Sequence, residues 1–371
     1  MKKLGFGFMR LPVLDENDVT KIDLDLLCDM VDKFMERGFT YFDTAYVYHK
    51  QQSEIYLRKA LVERYPRESF QVATKMPLFM IKSAEDNARI FNEELEKCGV
   101  EYFDYYLLHA MNRERFETAK KYGSFEFLKQ MKAEGKIKHI GFSFHGDAFL
   151  LKEMLEFWPE TEFVQLQINY LDWDNPSIQA KECYELCTQY GKPVIVMEPV
   201  KGGSLVAIPE EASKLFTDYN PDASLASWAV RYAASLDNVM MVLSGMSNME
   251  HMEDNTSYME NFIPLKNEER VIIDKVVYII NSSIAVACTA CGYCVDGCPK
   301  HIPIPKYFAL YNAHLQALNK GFSTSQTYYT NMTMTAAPAG RCIECGKCEK
   351  SCPQHLNIIE ELKNVAEAFG K

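Results

Sequence analysis

Over residues 1–275 of this 371-residue chain, eight short apolar runs alternate with longer amphipathic ones, and no other feature constrains the fold as tightly. The runs fall at 4–8, 39–43, 70–75, 103–109, 139–144, 163–168, 193–198 and 239–244. Each is apolar along most of its length rather than at alternate positions, as strands are when a parallel sheet is covered on both faces. The segments between them have helical spacing. In LDLLCDMVDKFMERG, apolar residues recur at i, i+3 and i+4, and Gly38 is a stop signal. Eight such units in about 250 residues predict a closed (β/α)8 TIM barrel. An open doubly wound sheet is the alternative, but no G-x-G-x-x-G follows the first run to make its nucleotide site.

The pattern stops near residue 276, which divides the chain into a 1–275 barrel and a 276–371 tail. Of twelve cysteines, eight lie in the last 84 residues. Cys288, Cys291, Cys294 and Cys298 form one C-x2-C-x2-C-x3-C-P run, and Cys342, Cys345, Cys348 and Cys352 form another, offset by 54 residues. Zinc also takes four thiolates, but usually from two separated C-x-x-C knuckles. Two-residue spacers let three thiolates wrap one face of a cube, and the proline turns the chain away. The spacing is that of bacterial [4Fe–4S] ferredoxins, in which the fourth cysteine of each run serves the other cluster. That rule groups Cys288, Cys291, Cys294 and Cys352 on one cluster, and Cys342, Cys345, Cys348 and Cys298 on a second. The stretch at 302–321 is expected as helix over the clusters, making a small, mainly helical ferredoxin-like domain. Cys28, Cys98, Cys183 and Cys187 are scattered, and the i, i+4 pair Cys183 and Cys187 is expected as core thiols.

Catalytic groups of a barrel gather at the C-terminal ends of its strands. Those ends here carry Asp43, Lys75, His109, Ser143, Gln167 and Glu198, with Tyr48 five residues past Asp43. This set suits carbonyl reduction, in which the oxygen of an aldehyde or ketone receiving hydride needs a proton. A free phenol with a pKa of about 10 is a reluctant acid–base group, and an adjacent lysine is expected to make it more acidic. Asp43 would hold Lys75, and His109 would donate a hydrogen bond that orients the carbonyl. Positioned groups of this kind contribute about 10²–10⁴-fold in rate.

The stretches LGFGFMRLP, FDTAYVY, VATK, DYYLLH, GFSFH, VQLQIN, VMEPVKGG and VLSGMSNMEHMEDN, in this order, resemble the aldo-keto reductase family, and the tail resembles a branch that carries two clusters. The resemblance implies a catalytic tetrad of Asp43, Tyr48, Lys75 and His109, with NADP(H) or NAD(H) as cofactor. It places the nicotinamide amide on Ser143 and Gln167, and it adds Glu198 and the loop and helix at 244–255 to the nucleotide site. In that loop Ser244, Gly245 and Ser247 would face the phosphates, and Asp254 and Asn255 the adenine end. Gly245 permits close backbone approach, and a helix starting near Asn248 offers free N–H groups to an anion. Three positions depart from the family's usual residues: Phe144, Met197 and Ser247. Serine at 247 supplies no charge where an arginine or lysine often binds the 2′-phosphate.

A net charge of −11 argues against nucleic acid or an anionic membrane as partner. The N-terminus has no apolar signal segment, and VVYIINSSIAVAC is too short to span a bilayer, so a cytoplasmic protein is expected. Three functions fit these features. One is an NAD(P)-linked oxidoreductase acting on a small carbonyl or alcohol substrate, with its clusters serving a ferredoxin or flavoprotein partner. A second is a reductase fed by such a partner without nicotinamide. The third is a non-catalytic electron-transfer or scaffold subunit.

Overall fold

Parallel strands need a long return connection, and a helix packed on the outside of the sheet supplies it. The computed structural model describes residues 2–282, 285–288, 290–316, 323–352 and 354–370. In it β1 (Leu4–Gly7), β2 (Tyr41–Asp43), β3 (Gln71–Met76), β4 (Phe103–Met111), β5 (Ile137–Phe144), β6 (Phe163–Gln167), β7 (Val194–Met197) and β8 (Val239–Ser244) form a closed barrel in sequence order. Every pairing is parallel, and β8 closes on β1 through Leu4–Val242 and Phe6–Ser244. The open-sheet alternative is thereby excluded.

Tyr41, Tyr105, Leu107, Phe163, Ile195 and Met241 belong to one buried cluster, so the barrel is packed rather than hollow. Crowding there requires a glycine at 141, where a Cβ would stand 2.5 Å from the carbonyl oxygen of Phe163. The first helix, Leu24–Glu36, shows how local signals set the boundaries. Asp23 caps it by accepting from Leu26 N–H at 3.1 Å, and Gly38 leaves it at φ +75°. Phe39, expected in the second strand, instead stacks on Phe34 with ring centroids 5.0 Å apart. β4 runs two residues past His109 through an irregularity in register at Ala110, whose φ is +52°. Glu198, expected to end the seventh strand, lies just beyond it at φ +57°.

Helix Asn267–Ser282 runs through the expected 275/276 junction and buries Ile273, Val276 and Ile280 in one cluster with Phe216 of the barrel. Beyond it the tail is a duplicated unit. Short helices Tyr293–Asp296 and Lys347–Lys350 each carry one cysteine, and the longer helices Ile304–Leu315 and Ile358–Phe369 follow at the same offset. Left-handed backbone recurs in register at Ala290 and Glu344, Gly292 and Gly346, and His301 and His355. The expected 302–321 helix is present as Ile304–Leu315, while 317–321, like Pro353 of the second cysteine run, lies outside the described residues.

The spacer between the repeats carries helix Thr324–Thr333, which docks on loops following β4 and β5. Asn331 donates to His145 O (2.9 Å) and accepts from Asn112 Nδ2 (2.8 Å), and Tyr328 packs edge-on against His145. Buried tail side chains therefore join the same apolar cluster as barrel residues Phe144 and Ile168. Among the described residues no helix is long and apolar enough to cross a membrane.

Candidate active site and cysteine cavities

β2 and β3 pair with Asp43 opposite Ala73, so Lys75, two residues further on, extends beyond Asp43 on the same face. Its amine donates to Asp43 Oδ1 at 2.5 Å and to Thr44 O at 2.7 Å, with both charged groups buried. Tyr48 opens the short turn that follows β2. The amine stands 5.0 Å from the centroid of the Tyr48 ring, and His109 meets that ring edge-on at 5.9 Å. Four side chains spread over 67 positions of sequence thus converge on one rim.

The turn is pinned by a residue that the sequence did not single out. His49 accepts from Leu11 N–H (3.2 Å) on Nε2, so its Nδ1–H is left to donate to Val19 O (2.7 Å). His49, Lys50 and Gln51 are all left-handed, a conformation that persists only where surrounding contacts enforce it.

Burial lowers the pKa of the Lys75 amine, but Asp43 and Tyr48 more than offset this, so it stays charged. Burial raises the Tyr48 phenol, and Lys75 pulls it only part of the way back. The expectation that Lys75 leaves this tyrosine more acidic than a free phenol is therefore not met, because the desolvation cost of a half-buried phenolate exceeds the attraction of one partly shared cation. Burial, followed by the charge of Lys75 and the neighbouring Arg115 and His145, holds His109 well below its usual value. At neutral pH the site accordingly presents a protonated phenol, an ammonium and a neutral imidazole.

Ser143 and Gln167 lie on the same rim. Ser143 Oγ accepts from Ala110 N–H at 2.7 Å and keeps its own proton free to donate. Gln167 donates Nε2–H to Asp172 (3.0 Å), while its Oε1 is buried without a hydrogen-bond partner. Asp172 also accepts from Asn169 (2.9 Å) and from Lys201. An amide so held keeps a buried acceptor without a partner on the rim, which the carboxamide N–H of a nicotinamide would supply. Nothing in the sequence pointed to Asp172, since it lies in a loop.

The remaining nucleotide-site residues are divided. Ser244 Oγ accepts from Asn255 (2.7 Å), which also accepts from Tyr258 (2.6 Å), and Asp254 accepts from Ser224 (2.7 Å). These contacts tie the helix Met249–Glu260 to the barrel and leave Asp254 and Asn255 engaged within the protein. Asn248 caps that helix through His251 N–H, using one of its free donors. Ser247 Oγ donates to Arg10 O at 3.0 Å, and the Arg10 side chain lies so close to Gly245 that a Cβ there would meet it at 3.2 Å. Arg10 brings to this loop the cation that Ser247 lacks, although Glu198 stands 4.0 Å from it. Arg10 follows the first apolar run, so an extended strand-end search would have found it.

In the tail, two small, partly open cavities lie beneath the cysteine loops. One is lined by Cys288, Cys291, Cys294 and Cys352, the other by Cys298, Cys342, Cys345 and Cys348, so each mixes the two runs. Ile304, Phe308 and Ile358 line the first with apolar surface, and Ile302, Ile304 and Leu362 the second. Among the described residues no three His, Cys, Asp or Glu side chains converge tightly enough to hold a lone metal ion. Cys183 and Cys187 are buried in the barrel's core.

A parallel eight-stranded barrel whose rim sets a lysine–aspartate pair against a tyrosine and a histidine is the architecture of a barrel oxidoreductase. Comparison with known sequences gives the same answer: residues 3–277 match the aldo/keto reductase family and residues 287–359 a 4Fe-4S dicluster domain. The chain belongs to the aldo/keto reductase family and carries a ferredoxin-type domain after the barrel. An uncharacterized oxidoreductase of Schizosaccharomyces pombe is 26% identical over 266 residues, covering 69% of this chain and 80% of that protein. The holo form of aldo-keto reductase AKR11C1 from Bacillus halodurans superposes with a TM-score of 0.58 at 26% identity, covering 74% of this chain and 91% of its own. An aldo-keto reductase from Klebsiella pneumoniae, solved in complex with NADPH, shares the fold with a TM-score of 0.57 at 18% identity, over 74% of this chain and 90% of that one.

Proposed function

We propose that this protein is a cytoplasmic NAD(P)-linked oxidoreductase interconverting a carbonyl and an alcohol, with Tyr48 as acid and base. The observation that carries the reading is the convergence of Lys75, Asp43, His109 and Tyr48 at one rim. In the reducing direction a protonated Tyr48 hydroxyl gives its proton to the carbonyl oxygen. The Lys75 charge stabilises the phenolate left behind, and Asp43 keeps that charge in place. His109, neutral and so unable to act as a strong acid, orients the oxygen by donating a hydrogen bond. In the oxidising direction the phenolate takes the proton back.

Gln167 and Ser143 would hold the carboxamide of a nicotinamide, and Gly245, Ser247 and Arg10 its phosphates, with Ser244, Asp254, Asn255 and Glu198 shaping that wall. When bound, the nicotinamide supplies the hydride. The eight tail cysteines would ligate two [4Fe–4S] clusters, which supply single-electron exchange with a ferredoxin or flavoprotein. The mixed lining of the two cavities supports the cross-ligated arrangement.

One observation favours a partner-fed reductase that does not use nicotinamide: Arg10, the cation of the phosphate loop, already faces Glu198. Calorimetry with NADPH on the anaerobically purified protein separates the two readings. The nicotinamide reading expects saturable binding and a change in the clusters' electron paramagnetic resonance on adding NADPH. Tyr48→Phe is expected to lower carbonyl turnover by about 10²–10⁴-fold without loss of NADPH binding. Full turnover in that variant would overturn the acid–base assignment.

A further inference from the structure

Arg115 has no role in the chemistry above, yet it stands beside it. It lies in the first turn of helix Arg113–Lys121, and its Nη1 donates to the carbonyl of Ala110, the residue after His109. That carbonyl is aimed by the left-handed backbone at Ala110, whose own N–H is held by Ser143. The guanidinium lies 5.3 Å from the ring centroid of Phe79, which is 51% exposed on the neighbouring β3 loop. Two residues away, Arg113 pairs with Glu153 at 2.7 Å, and Arg67 and Arg231 have carboxylates of their own. Among the described residues no carboxylate lies within 4.0 Å of the Arg115 guanidinium. In a chain with 51 acidic residues, a half-buried arginine next to a catalytic histidine, with the exposed Glu114 acting on it only through space and no carboxylate in contact, calls for an explanation.

Its surroundings point to a ligand. Nη1 is committed, and no hydrogen bond within the described residues uses Nε or Nη2. That leaves the edge of the fork that grips a carboxylate with two parallel hydrogen bonds. Phe79 against the guanidinium restrains its plane, lowering the entropy cost of a fixed geometry. Nearby polar capacity is unspent as well: Nδ1 of His109 and Nδ1 of His145 are both buried without a partner. Burial and the Arg115 charge hold His145 down to about 4, so it adds no second cation at neutral pH.

We propose that Arg115 anchors an anionic substituent of the substrate, so that the compound reduced at Tyr48 is a carbonyl compound bearing a carboxylate. The inference rests on the reading of Tyr48 as the proton donor. It is tested with two probes that differ in one group, 4-carboxybenzaldehyde and benzaldehyde, under anaerobic turnover of the intact protein with NADPH. Charge-assisted hydrogen bonds are worth about 10–100-fold. The ratio of kcat/KM for the carboxylated over the plain aldehyde should therefore fall by at least about tenfold in Arg115→Met, mainly through KM. Arg115→Lys, which keeps charge but not the fork, should give an intermediate ratio. An unchanged ratio in Arg115→Met would overturn the proposal while leaving the role of Tyr48 intact. If neither aldehyde is turned over, the reading of Tyr48 fails separately, and calorimetric titration with benzoate still decides the anchor. Binding weakened by at least about tenfold in Arg115→Met supports it, and equal binding or none in the unsubstituted protein overturns it. A thermal melt of each variant shows that it is folded.

Discussion

The barrel and the tail assemble their sites in opposite ways. The tetrad draws single residues from three strand ends and a turn, and the closed sheet holds them in place without any cofactor. Even its buried ammonium is satisfied by protein groups, Asp43 and Thr44. The tail's cysteines are clustered in sequence, four per run, and each cavity draws three from one run and one from the other. Burial raises the Cys288 and Cys348 thiols, and pushes Cys294 up to about 11, so a metal bound by these thiolates would have to displace their protons. The barrel sets its rim residues by strand pairing, whereas the tail is a set of loops and short helices wrapped around two cysteine-lined cavities. A mesh of strand hydrogen bonds positions four distant side chains, whereas in the tail short helices carry the cysteines around two cavities.

The largest expected effect breaks the tail alone. Stripping iron anaerobically with a chelator should abolish hydrogen-exchange protection in helix Ile358–Phe369 while β1 to β8 keep theirs; equal loss in both would erase the contrast. In the same vein, Cys352→Ala should reduce iron from about eight to about four per chain. The cluster lost should be the one that Cys288→Ala also removes, which paired-variant electron paramagnetic resonance would show.

Next in size, Lys75→Met should lower carbonyl turnover by about 10²–10⁴-fold with iron content unchanged, because the tetrad owes nothing to the clusters. A smaller effect concerns stability. Glu54, buried beneath β3, accepts from Thr74 at 2.7 Å and has Lys97 at 3.8 Å. Burial pushes its carboxyl up to about 7 against the pull of both partners. The native state thus keeps a proton that the unfolded chain releases from about pH 4.5 upward, and stability contributed by that proton is lost as pH rises through about 7. Glu54→Gln should raise stability at pH 8 by roughly 1–3 kcal/mol and change little at pH 4, as read by urea unfolding. The smallest effect lies at the seam. Asn331→Ala removes two hydrogen bonds between tail and barrel, and should cost about 1–3 kcal/mol, seen as faster proteolysis of the tail. An unaltered digestion rate would mean that the two parts are held together elsewhere.

Much of the barrel was legible because its signals are periodic and local. Eight apolar runs, the Asp23 cap and Gly38 each act within a few residues, and the strand-end rule then led to Asp43, Lys75, His109, Ser143 and Gln167. The rule was weakest where the backbone leaves the regular strand. Ala110 and Glu198 adopt left-handed conformations that no glycine announces, so the extension of β4 and the true end of β7 went unread. Arg115 and Asp172 were missed for a related reason, since a loop residue's partner is set by where the loop lands.

The sequence by itself determined the closed parallel architecture and the duplicated cysteine runs, and it pointed to the four side chains that meet at one rim, because periodicity and spacing are properties of the chain. Only the tertiary structure decided the balance of charge: that Tyr48 is held above an ordinary phenol rather than below, that Asp172 holds Gln167, and that Arg115 is left without a carboxylate in contact. Those outcomes depend on how much water is excluded and on which distant group fills its place, and neither quantity exists until the barrel has closed.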